Sequence, residues 1–221
     1  HSTELFRQVE ALHGLYVELD LRQSLPPTRG WAASPDFLLE LARHARSAQP
    51  SVVVECSSGV STLVLARCLQ RQRRGMLYSL EHDPVYAQQT REALRRHGLQ
   101  DWAQVIVAPL RPQQAAGATW TWYDLGALPA TLPIDLLVID GPPQATGPLA
   151  RYPAGPLLFP RLAAGATVFL DDAARPDERA AVQRWGVEFP ALAQSARTCE
   201  KGCAVLTAPA APAPAPAAPA P

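Results

Sequence analysis

The sequence predicts an α/β fold: a doubly wound, mostly parallel sheet with helices on both faces. Three observations predict it. From Ser51 onward, short apolar runs alternate with longer amphipathic ones. The short runs are nearly continuous Val, Ile, Leu and Ala, the composition of strands covered on both faces. Five such units follow one another, which implies right-handed crossovers into one sheet. A chain of 221 residues, 48% hydrophobic, suffices for one domain of this kind.

The elements follow in order. Leu5, Phe6, Val9, Leu12, Leu15, Tyr16 and Leu19 recur at helical spacing and predict a first helix over 4–21. Its apolar positions are expected to pack on the domain or on a partner subunit. The stretch Pro26-Pro27-Thr28-Arg29-Gly30 ends it. Ser34 then caps a second helix, with Pro35 preorganised for its first turn and Phe37, Leu38, Leu41 and Ala45 inward. Strands are expected over 51–55, 76–81, 104–108, 135–140 and 166–171, and helices over 61–72, 84–97, 152–163 and 175–185. Asp83-Pro84 marks one helix start as cap and first residue, and His97-Gly98 marks its end. Ala191 to Thr198 and Cys203 to Thr207 read as a terminal hairpin at the sheet edge. Residues 1–30 are thus an N-terminal helical extension and 31–207 the main domain. Residues 208–221 contain only Ala and Pro, cannot build a core, and read as an extended, disordered tail.

Composition removes several function classes. Twenty basic and twenty acidic residues cancel, and nineteen of the basic ones are Arg, the exception being Lys201. A neutral chain has no general electrostatic attraction to nucleic acid, so none is expected as a partner. Cys56, Cys68, Cys199 and Cys203 lack a zinc-binding spacing. No apolar stretch approaches 18 residues. A cytoplasmic location is expected, with membrane association only through a segment outside this sequence, which opens at His1 within helical pattern.

The chemistry starts at Glu55-Cys56-Ser57-Ser58-Gly59-Val60-Ser61-Thr62. A buried strand, a turn of small residues and a helix N-terminus form a cradle for a nucleotide-like ligand at the carboxyl edge of an open sheet. Ser57, Ser58 and Gly59 keep bulk away from a ligand. Ser61 and Thr62 cap the helix and leave its free N–H groups nearby. Glu81, at the next strand end, can accept both hydroxyls of an adenosine ribose. The loop is neither G-x-G-x-x-G nor a P-loop, and it lacks the glycines that cradle a pyrophosphate. Adenosine without phosphate, carrying an amino and a carboxylate group, describes S-adenosylmethionine. The same residues also suit a plain strand–turn–helix joint, with Glu55 as a capping partner and Glu81 as a solvated strand end.

Residues 31–207 resemble class I S-adenosylmethionine-dependent methyltransferases of the bacterial small-molecule O-methyltransferase-like subgroup. The resemblance rests on Val53 to Thr62, Ser79 to Pro84, Ile134 to Pro143, Thr146 to Pro153 and Phe169 to Asp172. It implies a Rossmann-like seven-stranded sheet with one antiparallel strand, and a cofactor site of Glu55, Ser57, Gly59, Ser61, Thr62, Glu81, His82 and the segment around Pro109. His82 is expected near the adenine. The family's loop usually reads E-x-G-x-G-x-G, and Ser57, Gly59 and Ser61 stand at the glycine positions here. A positive φ at position 57 would strain a serine.

Asp140 ends the fourth strand, and Asp171 and Asp172 end the fifth. Adjacent strands lie about 4.8 Å apart, so these carboxylates can converge. They then need a cation, Arg partners or raised pKa values. Oxygen-only ligation points to Mg²⁺ or another hard divalent ion, which would lower the pKa of a substrate hydroxyl. The other reading has Asp172 capping a helix or pairing with Arg175, and Asp140 bonded to loop amides or the cofactor amino group. Pro143 stands where related metal-dependent enzymes carry a base, leaving Asp140 or water as proton acceptor. Arg151 is expected to bind a carboxylate or phosphate of the substrate and Tyr152 to donate a hydrogen bond or line the pocket, unless both simply surface a helix. Trp120, Trp122 and Tyr123 wall either a ligand pocket, the core or an interface. The expected function is methyl transfer to an oxygen of a small molecule. N-methylation and a non-catalytic binding protein of the same fold are the rivals. A homodimer is compatible with the first helix.

Overall fold

The computed structural model describes residues 2–28, 30 and 32–211. Among these residues six α-helices are seen: α1 (Ser2–Leu19), α2 (Pro35–Ala48), α3 (Val60–Gln72), α4 (Pro84–Arg96), α5 (Ala154–Leu158) and α6 (Pro176–Glu188). Nine strands accompany them: β1 (Val52–Cys56), β2 (Met76–Glu81), β3 (Ala103–Val107), β4 (Leu110–Ala115), β5 (Ala118–Tyr123), β6 (Ile134–Ile139), β7 (Leu162–Asp171), β8 (Ala193–Arg197) and β9 (Cys203–Thr207). Seven strands form one sheet in the order β3-β2-β1-β6-β7-β9-β8. β9 runs antiparallel to both neighbours, and the pairings from β3 to β7 are parallel. The expected seven-stranded sheet and late hairpin are therefore present, the hairpin as β8 and β9.

The order reverses between β1 and β6, so a crevice opens at their carboxyl ends. Two apolar clusters lie on the two sheet faces. One joins α1, α2, α3 and α4 through residues such as Leu15, Phe37, Leu41, Val64 and Leu94. The other gathers Val54, Ile139, Leu158, Trp122 and Trp185 with the β4–β5 hairpin and α6.

Local chemistry sets the boundaries. Asp83 accepts from the backbone N–H of Val85 at 2.7 Å and caps α4, with Pro84 following as expected. Ser34 occupies the cap of α2 but makes no cap bond there; its hydroxyl donates to Asp36 Oδ1. The helix expected over 152–163 shrinks to α5 plus a 3₁₀ turn at Phe159–Arg161. Pro156 and Pro160 remove backbone donors there, and β7 starts early at Leu162. The β4–β5 hairpin, outside the expected strands, forms a separate two-stranded sheet turning at Ala116 and Gly117, both at positive φ.

The extension carrying α1 is part of the core, because Ala11, Leu15 and Leu19 pack with α2 and α3. Its buried stripe is Gln8, Ala11, Leu15 and Leu19. Leu5, Phe6 and Val9, expected to pack on the domain or on a partner subunit, do not pack on the domain: all three are exposed, Phe6 by 68%. No helix among the described residues is long and apolar enough to cross a membrane. Residues 212–221 of the Ala/Pro tail lie outside the described residues. Ala208 donates to the Ala166 carbonyl, and Pro209 accepts from Gly165, so these first two residues run beside β7.

Candidate functional site

The parallel register of β1 and β2 sets Glu55 beside Ser79. Glu55 is fully buried, and its Oε2 accepts from the hydroxyls of Ser79 and Thr62, both at 2.7 Å. Thr62 Oγ1 in turn accepts from Gly59 N–H at 2.9 Å. Burial raises the Glu55 pKa, and the hydroxyls of Ser61, Thr62 and Ser79 oppose that rise. Glu55 and Thr62 thus brace the turn from beneath, leaving Oε1 as an unpartnered buried acceptor. Ser61 is buried as well. Gly59, at φ 148, is the residue before α3, and the free N–H groups of α3 start at Val60.

Ser57 adopts φ 120, a conformation for which glycine is suited and a side chain is strained. The strain is held by its N–H, which donates to the Leu80 carbonyl at 2.9 Å. Ser57→Gly relieves strain of roughly 1–3 kcal/mol, offset by roughly 0.5–1 kcal/mol of unfolded-chain entropy. The substitution is therefore expected to stabilise the protein by about 1 kcal/mol in denaturant unfolding. A destabilised variant would show that the serine side chain supports the turn.

Glu81 ends β2 in a buried setting. Its Oε2 accepts from Ser58 Oγ at 2.9 Å and its Oε1 from Asp83 N–H at 3.0 Å, with His82 Nδ1 3.1 Å away. Ser58 also bonds Thr90 at 3.0 Å. The carboxylate stands where the sequence placed it and is preorganised by α4. Its neighbour His82 meets the ring of Tyr123 edge-on at 6.3 Å. Pro109 lies exposed in the turn from β3 to β4, where its carbonyl accepts from Asp124 N–H.

Across the crevice, β6 and β7 bring Asp140, Asp171 and Asp172 together, with carboxylate oxygens within 4.8 Å of one another. Arg151 lies among them. It donates to Asp172 Oδ2 at 2.8 Å, Asp140 Oδ1 at 3.3 Å, and the carbonyls of Asp171 and Asp140 at 2.9 and 3.2 Å. Glu178 pairs with its Nε at 3.7 Å, and Arg175 pairs with Asp172 at 3.0 Å. Four carboxylates thus face two guanidinium groups. Burial pushes Asp140 up to about 7 against the pull of Arg151, and pushes Asp171 well above the usual carboxylate range. Burial opposes the charged form of Arg151, but Asp140, Asp172, Glu178 and Asp171 outweigh it and raise its pKa. Both Asp171 oxygens and Asp172 Oδ1 are buried without a hydrogen-bond partner. Unpartnered acceptors in an all-oxygen donor set suit a hard divalent cation.

Two expected site residues take other roles. Arg151 directs both Nη groups to protein oxygens and is 5% exposed, so it is the countercharge of the acidic edge rather than an open substrate clamp. Tyr152 is buried and donates to Glu188 at 2.7 Å, with Arg184 over its ring at 4.0 Å. Glu178 and Glu188 sit ten residues apart on α6, about 15 Å along the axis. Its hydroxyl is thereby tied to the far end of α6 from the acidic edge. Ser79 and Glu178 join the site without a role assigned to either from sequence. Ser79 was detectable as a polar residue inside an apolar strand two positions before Glu81.

A family model described as a methyltransferase domain matches residues 54–173. No curated protein matches the sequence. Among solved structures, cofactor-bound Rv0187 from MTB is 24% identical with a TM-score of 0.60, covering 91% of both chains. The O-methyltransferase TomG from Streptomyces achromogenes, involved in tomaymycin synthesis and solved with SAM, is 18% identical with a TM-score of 0.61, covering 95% of this chain and 96% of that one. A putative O-methyltransferase from Klebsiella pneumoniae is 21% identical with a TM-score of 0.56, covering 92% and 90%. At these identities the likeness is one of fold.

Proposed function

The chain belongs to the methyltransferase-domain family, and from that premise we propose that it moves a methyl group from S-adenosylmethionine to an oxygen of a small molecule, with a divalent cation such as Mg²⁺ at the acidic edge. One observation carries the reading: the braced Glu55–Thr62 turn and Glu81 face the convergent Asp140, Asp171 and Asp172 across the β1–β6 crevice. A cradle for adenosine on one side and a hard-ligand cluster on the other suit in-line transfer to an oxygen held between them.

When bound, the cofactor supplies an activated methyl sulfonium and the cation supplies Lewis acidity toward a substrate hydroxyl. The chain's own residues do the rest. Glu81 accepts the ribose hydroxyls. The Ser57–Gly59 turn admits close backbone approach, and the N-terminal N–H groups of α3 point toward it. Asp171 and Asp172 offer the unpartnered oxygens as ligands, and Arg151 holds them in register. Asp140, beside them at the end of β6, would share that ligation and take the substrate proton on a carboxylate oxygen.

The test is calorimetry with S-adenosylhomocysteine, paired with a methyl-transfer assay with and without chelator. Glu81→Ala is expected to weaken S-adenosylhomocysteine binding by about 10- to 100-fold, since charge-assisted hydrogen bonds contribute roughly 1.5–3 kcal/mol. Unchanged affinity would remove Glu81 from the cofactor site, and wild-type protein that binds no S-adenosylhomocysteine at millimolar concentration would sink the enzymatic reading.

A further inference from the structure

Tyr123 closes β5 at the base of the hairpin, paired with Leu110. It is fully buried, yet its hydroxyl has no hydrogen-bond partner. A buried phenol normally finds one, because an unsatisfied hydroxyl costs stability. The position of this one is specific. A methyl group added at Gly141 would collide with the Tyr123 hydroxyl, and would lie 3.1 Å from Ser57 Cβ and 3.2 Å from the Cys56 carbonyl. The hydroxyl therefore sits where the turn after β1 meets the loop after β6, at the point where strand order reverses. Asp140 and Glu81 are both near enough to act on it electrostatically. Burial raises its pKa well above the ordinary value, which keeps the phenol neutral and able to donate.

Ligands of open α/β sheets bind at this junction. We infer that the Tyr123 hydroxyl is a cofactor-positioning donor whose missing partner is the carboxylate of the amino-acid portion of S-adenosylmethionine. The inference rests on the proposed function and deepens it. Glu81, on β2, holds the ribose. Tyr123 reaches the β1–β6 junction, one strand further along, and so meets the portion beyond the ribose. A neutral donor with no protein acceptor suits an anionic group there. Gly141 belongs to the same device, since any side chain at that position displaces the phenol.

The test compares wild type with Tyr123→Phe, which removes only the oxygen. Two probes are titrated by calorimetry: S-adenosylhomocysteine, which has the amino-acid portion, and 5′-methylthioadenosine, which lacks it. The expected result is S-adenosylhomocysteine binding weakened roughly five- to thirtyfold, methylthioadenosine binding unchanged, and a ligand-free melting temperature equal to or above that of wild type. Equal weakening of both probes overturns the assignment to the amino-acid portion. Unchanged S-adenosylhomocysteine affinity, or a clearly lowered ligand-free melting temperature, overturns the inference outright. Wild type that binds neither probe refutes the methyltransferase reading itself, and the inference falls with it. The two failures are thereby distinct.

Discussion

Arg151→Met is expected to destabilise the protein by about 3–5 kcal/mol at neutral pH, the usual cost of removing one partner of a buried ion pair. The guanidinium is buried and touches Asp140, Asp171 and Asp172 directly, with Glu178 beside it. Without it, Arg175 still faces Asp172 and Glu178, but Asp140 and Asp171 lose the cation that lies among them, and their charged forms become more costly. Methionine fills similar volume, so packing loss contributes little. Denaturant unfolding at pH 7.5 measures the effect, and the loss is expected to shrink as pH falls and the carboxylates protonate. A loss below about 1 kcal/mol would mean that Arg151 is not what holds the acidic edge together.

A comparable effect is expected from pH and divalent cation together. The Asp140 pKa rises from 3.8 to about 7, and that of Asp171 rises well above its ordinary value. The fold therefore holds protons that the unfolded chain has released. By linkage, this contribution is fully present below about pH 4 and is lost as pH rises through about 7. Mg²⁺ can replace the protons, so it is expected to raise the melting temperature strongly at pH 8 and little at pH 5. Asp171→Asn removes one charge and one ligand. It is expected to raise cation-free stability at pH 8, abolish the Mg²⁺ response and cut methyl transfer at least 100-fold, the scale of losing an electrostatic catalytic group. Equal Mg²⁺ stabilisation at both pH values, or activity indifferent to chelator, would favour purely hydrogen-bonding roles for these aspartates.

Much of this site is legible in the amino-acid sequence. Glu55, Ser57, Gly59 and Glu81 were readable because strand ends and tight turns are short-range events, set by apolar runs that stop at polar or small residues. The strain at Ser57 was readable too, as a serine where the resembling family has glycine, and its φ of 120 bears this out. Asp140 and Asp171 were readable as consecutive strand ends on one sheet edge. The roles of Arg151 and Tyr152 were not. Adjacent in sequence, they diverge in space, one into the acidic edge and the other to the end of α6. A flexible side chain's direction depends on partners 11 to 36 residues away, and no local pattern encodes that.

The β4–β5 hairpin lies between these cases. Trp120 and Trp122 alternate as a strand should, and Ala116-Gly117 marks the turn, but Arg111, Pro112, Gln113 and Gln114 obscure the partner strand. Exposed on much of its length, β4 has little apolar pattern to show.

By itself, the sequence determined the α/β class, the parallel strands from continuous apolar runs, the turn after β1 and the acids at the strand ends. Each is dictated by local propensity and by burial on both sheet faces. Only the tertiary structure decided that Arg151 neutralises those acids, that Thr62 and Ser79 fix Glu55, and that the Tyr123 hydroxyl ends unpartnered against Gly141. Those outcomes depend on which strands become neighbours, and the reversal of strand order between β1 and β6 brings together residues that lie more than 80 positions apart in the chain.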